Sequence, residues 1–540
     1  MIKRFLAFAL ILILLAPPLL IQGCSLFIMP SPEPAQTETS PTGAEAPPPP
    51  SISPASPQTN GRFTLRYDPD SALNPITTTS SDNFLLSSLM YESLFVIDGS
   101  LNAEAQLCDN WTRDDDYTYT FEIKPDIAMS DGSAMTADDV AYTLKQAMQK
   151  GRFINRLHII KSVVSDGDLT VKVELSTLNS QFIRLLDVPI IKYGSIDNNV
   201  PPGSGPYIFA GPQSSRLDIF TKHRNYLLMP VTTIYLRACD DNEVAELFDD
   251  GAIALLWDDP SDTREMRLNR LHDKRFYETT ELQFLGFNMR SAALRDPDVR
   301  RAIGCAVDRK YIAENIMPRQ ALAAPLAISP AYSLYDIAWE STYYDPQREM
   351  AELLVRAGLS DFDEDTFLEY PDGLGGFQKF SIDFIVNSEN PYKIQVANMI
   401  ADTLKRTGFD ITVRELPWDS FTAALKSGDF DIYYGEIVLG ADFDLSTLLL
   451  PNSKHNYGGT GSTDYLTYID DFLSAKTDVG VKAAAKQLCD EISQEAPFVP
   501  IIYKRYAIYT PSGAISGMSP SISGIFSNFT DWTIDFTMLS

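Results

Sequence analysis

Side chains with catalytic or metal-binding chemistry are scattered along this sequence. The four histidines stand singly, without the short spacing of a local metal site: His158, His223, His272 and His455. No Gly-x-Ser-x-Gly, P-loop, His-Glu-x-x-His or dinucleotide motif is present. With 72 acidic residues, a distant carboxylate pair of the glycosidase type stays open. The sequence otherwise indicates a protein that is not an enzyme, and it predicts no cofactor and no metal.

The most suggestive polar segment is "GADFDLSTLL", which contains Asp442 and Asp444. It follows "ALKSGDFDIYY", a helix end, a glycine and a buried strand, and ligands of open α/β sheets bind beyond the carboxyl ends of strands. The same pattern occurs earlier in "ELFDDGAIALLW" at residues 246–257. The repeat predicts two lobes of similar build.

Alternating strands and helices must position these residues. Apolar and polar residues alternate at 117–123 and 169–175, which predicts two half-buried strands. Between them, "SDGSAMTADDVAYTL" is acidic but lacks the ligand spacing of an EF-hand. The pattern instead predicts a helix with Thr136 as its N-cap and with Asp138 and Asp139 in its first turn.

Three further helices are marked by proline at their start. They follow Asp296, Asp345 and Asn390, and glycines 358 and 408 end the second and third. The third leads directly into an alternating strand at 409–413. These signals favour an α/β class with mixed sheets.

The amino terminus has the layout of an export signal. Lys3 and Arg4 precede an uncharged stretch at 5–21, and "IQGC", ending at Cys24, resembles the lipobox of bacterial lipoproteins. Gln22 departs from the small residue usual in that position. We therefore expect a signal peptide at 1–23 and a lipidated Cys24, while an uncleaved membrane anchor and simple secretion stay open.

Residues 30–60 contain ten prolines and no lysine, arginine or aromatic residue, so residues 24–60 are expected to be a lipidated cysteine and an extended linker.

The rest of the chain, about 480 residues, is longer than a single hydrophobic core usually organises, which predicts two or three lobes. The net charge of −28 argues against nucleic acid. The other cysteines are widely spaced, so free thiols are favoured and a disulfide stays open: Cys108, Cys239, Cys305 and Cys489.

Several segments together resemble one family, the extracytoplasmic solute-binding proteins of ABC importers in the peptide/nickel group (family 5). They are "LNPITTTSSDNFLLSSLMYESLFVIDG", "YTYTFEIKPDIAMSDGSAMTADDVAYTL", "GSGPYIF" and "LGFNMRSAALRDPDVRRAIGCAVDRKYI". The resemblance is collinear over about residues 62–535. One departure is "NYLLMP" at 225–230, where the family has a Trp-Gly pair.

The resemblance implies an α/β fold of the type II periplasmic-binding-protein kind, with two hinged lobes and an inserted third domain. Carried over to this chain, lobe I would consist of residues 60–88, 199–280 and 500–540. The inserted domain would span 89–198, and lobe II would span 281–499.

The resemblance also implies ligand contacts. A carboxylate of lobe II pairs with the peptide α-ammonium in peptide-binding members, and Asp442 falls at that position, although Leu439 stands where an aromatic residue is usual. Asp444 is a near alternative. A further interpretation is that Asp442 only caps the helix at 445–450.

Other contacts are implied around the cleft. Ser80 and Ser81 would contribute backbone groups, and Tyr457 and Gly458 belong to a loop near the site. Side-chain pockets could be lined by aromatic residues, for which burial in a sheet is the commoner explanation: Trp418, Tyr433 and Tyr434.

The function implied is that of a monomeric, lipid-anchored receptor on the outer face of the cytoplasmic membrane. It would capture short peptides and deliver them to an ABC permease and ATPase. A nickel chelate, a sugar or a signalling peptide are alternative cargoes. A transport-independent sensor or adhesion lipoprotein is a different class.

Overall fold

The computed structural model describes residues 62–261, 266–342, 346–371, 376–459 and 464–539. The predicted signal peptide, Cys24 and the proline-rich linker lie outside these residues, as does Asp345. Within the described ranges, no helix is both long and apolar enough to cross a membrane.

The strands alternate with helices along the chain, as the sequence predicts. In chain order they are β1 (Phe63–Tyr67), β2 (Phe95–Ile97), β3 (Ala103–Ala105), β4 (Cys108–Arg113), β5 (Thr118–Ile123), β6 (Ile160–Ser165), β7 (Thr170–Leu175), β8 (Tyr207–Phe209), β9 (Arg216–Ile219), β10 (Thr233–Ala238), β11 (Leu256–Asp258), β12 (His272–Phe287), β13 (Ala321–Ala323), β14 (Glu369–Pro371), β15 (Phe377–Lys379), β16 (Ser381–Asn387), β17 (Asp410–Leu416), β18 (Ile432–Val438), β19 (Phe498–Pro511), β20 (Ile515–Ser516) and β21 (Thr533–Ile534).

The α-helices are α1 (Ser81–Met90), α2 (Ala137–Ala147), α3 (Ile154–Leu157), α4 (Val244–Asp249), α5 (Pro297–Cys305), α6 (Arg309–Tyr311), α7 (Pro346–Arg356), α8 (Pro391–Arg406), α9 (Trp418–Ser427), α10 (Ser446–Leu449), α11 (Asp464–Ser474), α12 (Asp478–Glu495) and α13 (Phe536–Leu539).

The central sheet has the order β11-β19-β12-β18-β16-β17, and β13 also pairs with β19. Its two longest strands, β12 and β19, are antiparallel, with a register shift between Glu278 and Leu282. The strands β16 and β17 are parallel and joined by α8, which confirms the predicted helix-to-strand crossover. The sheet therefore mixes parallel and antiparallel pairs.

Side chains alternate between the faces of the central sheet. Along β18, Ile432 and Tyr434 pack into one buried cluster with α5, α7 and α8, whereas Tyr433 packs into another with α9, α11 and α12. Both faces are covered by helices, so β18 is buried on both sides over its first half.

Two smaller four-stranded sheets lie outside the central one. One has the order β1-β10-β9-β8 with a parallel β1–β10 pair, and the other has the antiparallel order β4-β5-β7-β6. Residues from both sheets belong to one hydrophobic cluster with α1, α2 and the segment after β20. The boundaries of lobe I, the inserted domain and lobe II that the family resemblance implies remain a prediction.

The local sequence signals form the predicted elements. The strands predicted at 117–123 and 169–175 are β5 and β7, which pair, and the helix after Thr136 is α2. Asp296 and Asn390 cap α5 and α8 through their side chains. In both copies of the repeated pattern, a helix is followed by a glycine with positive φ (Gly251 at 72°, Gly428 at 75°) and then by a central-sheet strand.

Candidate functional site

A cavity of about 770 Å³ lies beside the end of β18. Four stretches of chain contribute most of its wall: α1 and the residues after it, the segment 152–159, the segment 437–455 and the segment 522–530. Single residues from other parts of the chain, such as Thr280, complete it. On α1, Phe84, Ser87 and Ser88 reach the wall because their spacing places them on one helical face. The cavity is therefore assembled from residues that are far apart in the sequence.

Asp442 is the buried carboxylate of this wall. Only 3% of the residue is exposed, and its Oδ2 accepts a 2.8 Å hydrogen bond from Asn179 Nδ2. Burial, reinforced by the neighbouring charge of Asp444, raises the pKa of Asp442 to about 6. Among the described residues, no lysine, arginine or histidine forms an ion pair with Asp442. The site thus holds an acidic group without an internal cation.

Asp444 also lines the cavity, and its carboxylate in addition accepts hydrogen bonds from the first residue of α10. Its Oδ1 accepts hydrogen bonds from the backbone N–H of Ser446, at 2.8 Å, and from the Ser446 hydroxyl, which places it at the start of α10. Asp444, and not Asp442, therefore hydrogen-bonds the first residue of α10, while the N-cap position itself is occupied by Leu445, which has no capping side chain.

The backbone between these two aspartates is unusual. Phe443 has φ of 53°, a left-handed conformation that a non-glycine residue rarely adopts, and its side chain is completely buried. The ring packs edge-on against Tyr332, with 5.3 Å between centroids. Burial of the ring holds the turn, and the turn lets both aspartates reach the cavity wall.

The basic residues of the wall differ in their partners. Arg156 pairs with Asp187 at 2.7 Å, between its Nη1 and the aspartate Oδ1. Glu92 is a buried carboxylate of the wall. Burial by itself raises its pKa, but hydrogen bonds from His223 Nε2, at 3.4 Å, and from Arg224 Nη1, at 2.9 Å, hold that pKa below the usual range. Arg152, by contrast, has no hydrogen bond or ion pair within the described ranges.

Ser80 and Ser81 lie at the start of α1, one turn before the lining residues. The Ser80 hydroxyl accepts a 3.3 Å hydrogen bond from Asn83 N as the helix N-cap, and exposed Ser81 is the first helical residue. Neither residue contributes to the cavity wall, which begins at Phe84 on this helix. Their proposed backbone contacts stay a prediction.

Tyr457 and Gly458 follow the lining segment that ends at His455. The Tyr457 carbonyl accepts a 2.8 Å hydrogen bond from Arg290, and the Gly458 carbonyl accepts one of 2.9 Å from Met289 N. A side chain at Gly458 would lie 2.0 Å from the Phe287 carbonyl oxygen, so glycine allows this close packing. The loop is adjacent to the cavity, but these two residues do not line it.

The three aromatic candidates lie elsewhere. Tyr433 and Tyr434 are buried within the central sheet, and the Tyr434 hydroxyl donates a 2.8 Å hydrogen bond to Gln283. Trp418 begins α9 and is 53% exposed. None of the three contributes to the cavity wall.

Sequence reasoning missed two residues of this site. Asn179 donates a hydrogen bond to Asp442, which is 263 positions away in the sequence, and no local sequence pattern predicts that contact. Arg152 follows a glycine in "KGRFINR", but only the fold shows that it faces the cavity.

Metal-binding geometry occurs outside the cavity. Four carboxylates before and in β14 have oxygens within 4.8 Å of one another: Asp361, Asp363, Asp365 and Glu369. The spacing Asp-x-Asp-x-Asp is their sequence signal. Three are exposed, and backbone N–H groups of the same loop donate to their oxygens. We assign no ligand to this loop.

The four cysteines of the described chain, Cys108, Cys239, Cys305 and Cys489, are free thiols.

The chemistry of the cavity wall suits binding. The Thr447 hydroxyl lies 2.8 Å from His455 Nδ1, but within the described ranges no third group orients the other ring nitrogen. Burial and the charge of Lys454 lower the pKa of His455. Aromatic rings, hydroxyls and one uncompensated buried carboxylate form a surface for a ligand that carries a cation.

Comparison with known proteins supports this reading. The profile "Bacterial extracellular solute-binding proteins, family 5 Middle" matches residues 102–459. The oligopeptide-binding protein AppA of Bacillus subtilis is 22% identical over 80% of this chain and 83% of its own length. The nickel-binding periplasmic protein of Escherichia coli is 22% identical over 80% of this chain and 86% of its own.

Solved structures show the same fold. The structure of B. subtilis AppA in complex with a nonapeptide has a TM-score of 0.63 and 20% identity, and covers 89% of this chain and 100% of that protein. The fold is the α/β fold of type II periplasmic binding proteins, as the resemblance implied. The relatives are binding proteins of ABC importers and not enzymes, so the prediction of a non-enzymatic protein is confirmed. The match over well more than half of its length shows that the chain belongs to the bacterial extracellular solute-binding proteins of family 5.

Proposed function

We propose that the protein captures short peptides in the 770 Å³ cavity and binds their α-ammonium group at Asp442. The observation that carries this proposal is the Asp442 carboxylate, which lines the cavity, is 3% exposed and lacks a cationic partner in the described chain. An uncompensated buried charge is costly, and a ligand ammonium would remove that cost.

The cargo class is supported by likeness and by charge. One relative of this chain is named for oligopeptides, and a peptide offers the ammonium that Asp442 lacks. Another relative is named for nickel, so a nickel chelate is an alternative cargo, beside a sugar or a signalling peptide. Mass spectrometry of small molecules that co-purify with the protein separates these cargoes.

The direct test is Asp442→Asn with peptide binding measured by calorimetry. We expect the affinity to fall about 30-fold or more, because losing one member of a buried charge pair costs about 2 kcal/mol or more. An N-acetylated peptide should bind both proteins equally weakly. Asp402→Asn, which removes an exposed carboxylate on α8, is the matched control. Wild-type affinity in the Asp442→Asn protein would refute the ammonium site.

Delivery to a membrane complex is part of the proposal. We infer a monomeric receptor that is held by lipidated Cys24 on the outer face of the cytoplasmic membrane, with residues 24–60 as a linker, and that serves an ABC permease and ATPase. Family membership supports an extracytoplasmic role with such partners. A sensor or adhesion lipoprotein is the competing role, and permease and ATPase genes beside this one would favour transport.

The lipid anchor has its own test. Radiolabelled palmitate should label the wild-type protein and leave Cys24→Ala unlabelled, because thioether-linked lipid requires that thiol. Equal labelling of both proteins would contradict the assignment of Cys24.

A further inference from the structure

A second cavity, of about 540 Å³, lies apart from the one that contains Asp442. Among the described residues, the two cavities share none of their wall. The second wall is formed by β4 and the turn after it, by residues 180–184, by the segment 332–334 and by the start of α12 with the residues before it. Small-molecule sites occupy about 300–1,000 Å³, and this volume falls in that range. The proposed peptide site does not account for this cavity.

Contacts between distant parts of the chain give the second cavity its shape. Lys476 Nζ lies 2.7 Å from Asp116 Oδ1. The Ser180 hydroxyl donates a 2.5 Å hydrogen bond to the carbonyl oxygen of Ala475. All four residues line the cavity, so the same contacts that join the chain segments also define the wall.

Gln181 is a buried amide of this wall, and only 6% of the residue is exposed. Its Oε1 accepts a hydrogen bond from the Tyr332 hydroxyl, which orients the amide. Its buried Nε2 has no acceptor within the described ranges. Because a buried donor without an acceptor is costly, a ligand that supplies an acceptor here would remove that cost.

Arg184, three residues later, provides a second donor of the same kind. Its Cζ lies 4.7 Å from the centroid of the Tyr332 ring. Nη2 donates a 3.4 Å hydrogen bond to Asn102 Oδ1, whereas the buried Nη1 has no acceptor in the described chain. Because Tyr332 contacts both Gln181 and Arg184, the two unpartnered donors belong to one patch of the wall.

The same wall also offers an acceptor and an aromatic surface. Asp478, the first residue of α12, forms no hydrogen bond or ion pair with any described residue, whereas Asp116 is paired with Lys476. Trp111 on β4 is 37% exposed, and its ring stacks on that of Tyr119 with 6.2 Å between centroids. The wall therefore combines open donors, an open acceptor and an indole ring.

This combination favours a neutral ligand that is rich in hydroxyl groups. A hydroxyl both donates and accepts, so one ligand can serve the donors and the carboxylate of the same wall. The less polar C–H face of a sugar ring can also cover an indole. Carboxylates outnumber cations on this wall, which disfavours a simple anion: Asp114, Asp115, Asp116 and Asp478 against Arg113, Arg184 and Lys476.

We propose that the 540 Å³ cavity is a second binding site and that it takes a neutral saccharide. Gln181 and Arg184 donate hydrogen bonds to sugar oxygens, Asp478 accepts one from a sugar hydroxyl, and Trp111 covers the C–H face of a sugar ring. The inference goes beyond the proposed capture of peptides, because the two cavities have separate walls.

The test titrates the purified full-length protein with maltose, cellobiose, sucrose and trehalose, and with acetate and glycine as small charged ligands. Binding is measured by NMR saturation transfer from the protein to ligand protons. Gln181→Glu keeps an acceptor for the Tyr332 hydroxyl but removes the unpartnered donor, and Gln487→Glu, at an exposed position of α12, is its charge-matched control. Trp111→Ala removes the indole, and Tyr311→Ala, at a 49% exposed residue outside both cavities, is its control.

We expect at least one disaccharide to bind wild type and both control variants, and acetate and glycine to bind none of them. Gln181→Glu should weaken disaccharide binding about tenfold or more, because a buried hydrogen bond to the ligand is lost. Trp111→Ala should weaken it about fivefold or more, because the sugar ring loses its aromatic contact. Urea unfolding checks that each variant is folded.

Three results overturn the inference. The first is a wild-type protein that binds none of the four disaccharides, and the second is a preference for acetate or glycine over all of them. The third is disaccharide binding that neither Gln181→Glu nor Trp111→Ala weakens, which would assign the sugar to the 770 Å³ cavity. Peptide capture is tested separately at Asp442, so the two proposals can fail independently.

Discussion

Asp442 and Asp444 are two positions apart, yet their surroundings give them different roles. Asp444 accepts hydrogen bonds from Ser446 at the start of α10, so its charge is engaged within the protein. Asp442 is held by the neutral amide of Asn179 and has no cation beside it in the described ranges. The difference arises at Phe443, whose left-handed conformation turns the chain between the two carboxylates.

The raised pKa of Asp442 predicts a pH-dependent stability. Its pKa is about 6 in the folded protein, and an unperturbed aspartate titrates near 3.9. Between these values the folded state binds a proton that the unfolded chain does not, so the free energy of unfolding falls as the pH rises from about 4 to about 6. Above that range, the buried charge costs about 2–3 kcal/mol.

Asp442→Asn should remove this cost in the ligand-free protein. We expect its free energy of unfolding to exceed that of wild type by about 2–3 kcal/mol at pH 7.5, and to match wild type at pH 4. Urea unfolding at several pH values measures the difference. The exposed-carboxylate control Asp402→Asn should show no such pH dependence, and a constant difference for Asp442→Asn across the range would contradict the burial argument.

At the scale of elements, the turn after β18 gives the site its geometry. Gly440 lies on this turn, and a side chain there would be 2.3 Å from Asp442 Oδ1 and 3.0 Å from Leu185. Gly435, five residues earlier within β18, would place a side chain 2.5 Å from the Phe284 ring. The two glycines thus serve two purposes, one at the site and one in the sheet.

These glycines predict separable effects. Gly440→Ala should displace the Asp442 carboxylate and lower peptide affinity about tenfold or more, because a misplaced charge cannot pair well with an ammonium. Gly435→Ala should lower the free energy of unfolding by about 1–3 kcal/mol through overpacking. Calorimetry and urea unfolding on both variants test the separation, which fails if both lose affinity and stability in the same proportion.

The elements themselves are largely predictable from local sequence, because their signals act over a few residues. The prolines at 297 and 391, the caps Asp296 and Asn390 and the glycine at 428 mark helix ends where the structure has them. The cavity, by contrast, is formed by residues that are far apart in the sequence, so local signals do not predict it. Asn179 meets Asp442 only after a fold has joined segments 263 positions apart, and no periodicity encodes such a contact.

At the scale of the whole molecule, one buried cation joins distant strands. Lys504 on β19 is 5% exposed, and its Nζ lies 3.0 Å from Glu281 on β12 and 3.5 Å from Glu436 on β18. It also pairs with Asp259, directly after β11. Glu281 follows Thr280, which lines the cavity.

Removing that cation should be costly for the entire fold. In Lys504→Met, the carboxylates of Asp259, Glu281 and Glu436 lose the charge that they share, and we expect the free energy of unfolding to fall by about 3–5 kcal/mol at pH 7.5. Burial already raises the pKa of Glu281, and loss of Lys504 would raise it further. The folded variant would therefore gain protons as the pH falls, so its deficit should shrink at pH 4.5.

The comparison that decides this prediction is Lys486→Met. Lys486 pairs with Asp490 one turn away on α12, at 2.7 Å, but its side chain is 40% exposed. Such a surface pair contributes about 0.5 kcal/mol or less, because water competes for both charges. A small deficit in Lys504→Met, equal to that of Lys486→Met and independent of pH, would show that the central cluster is not a buried electrostatic link between the strands. A large deficit that diminishes in acid would show that one side chain couples the stability of β12, β18, β19 and the chain directly after β11.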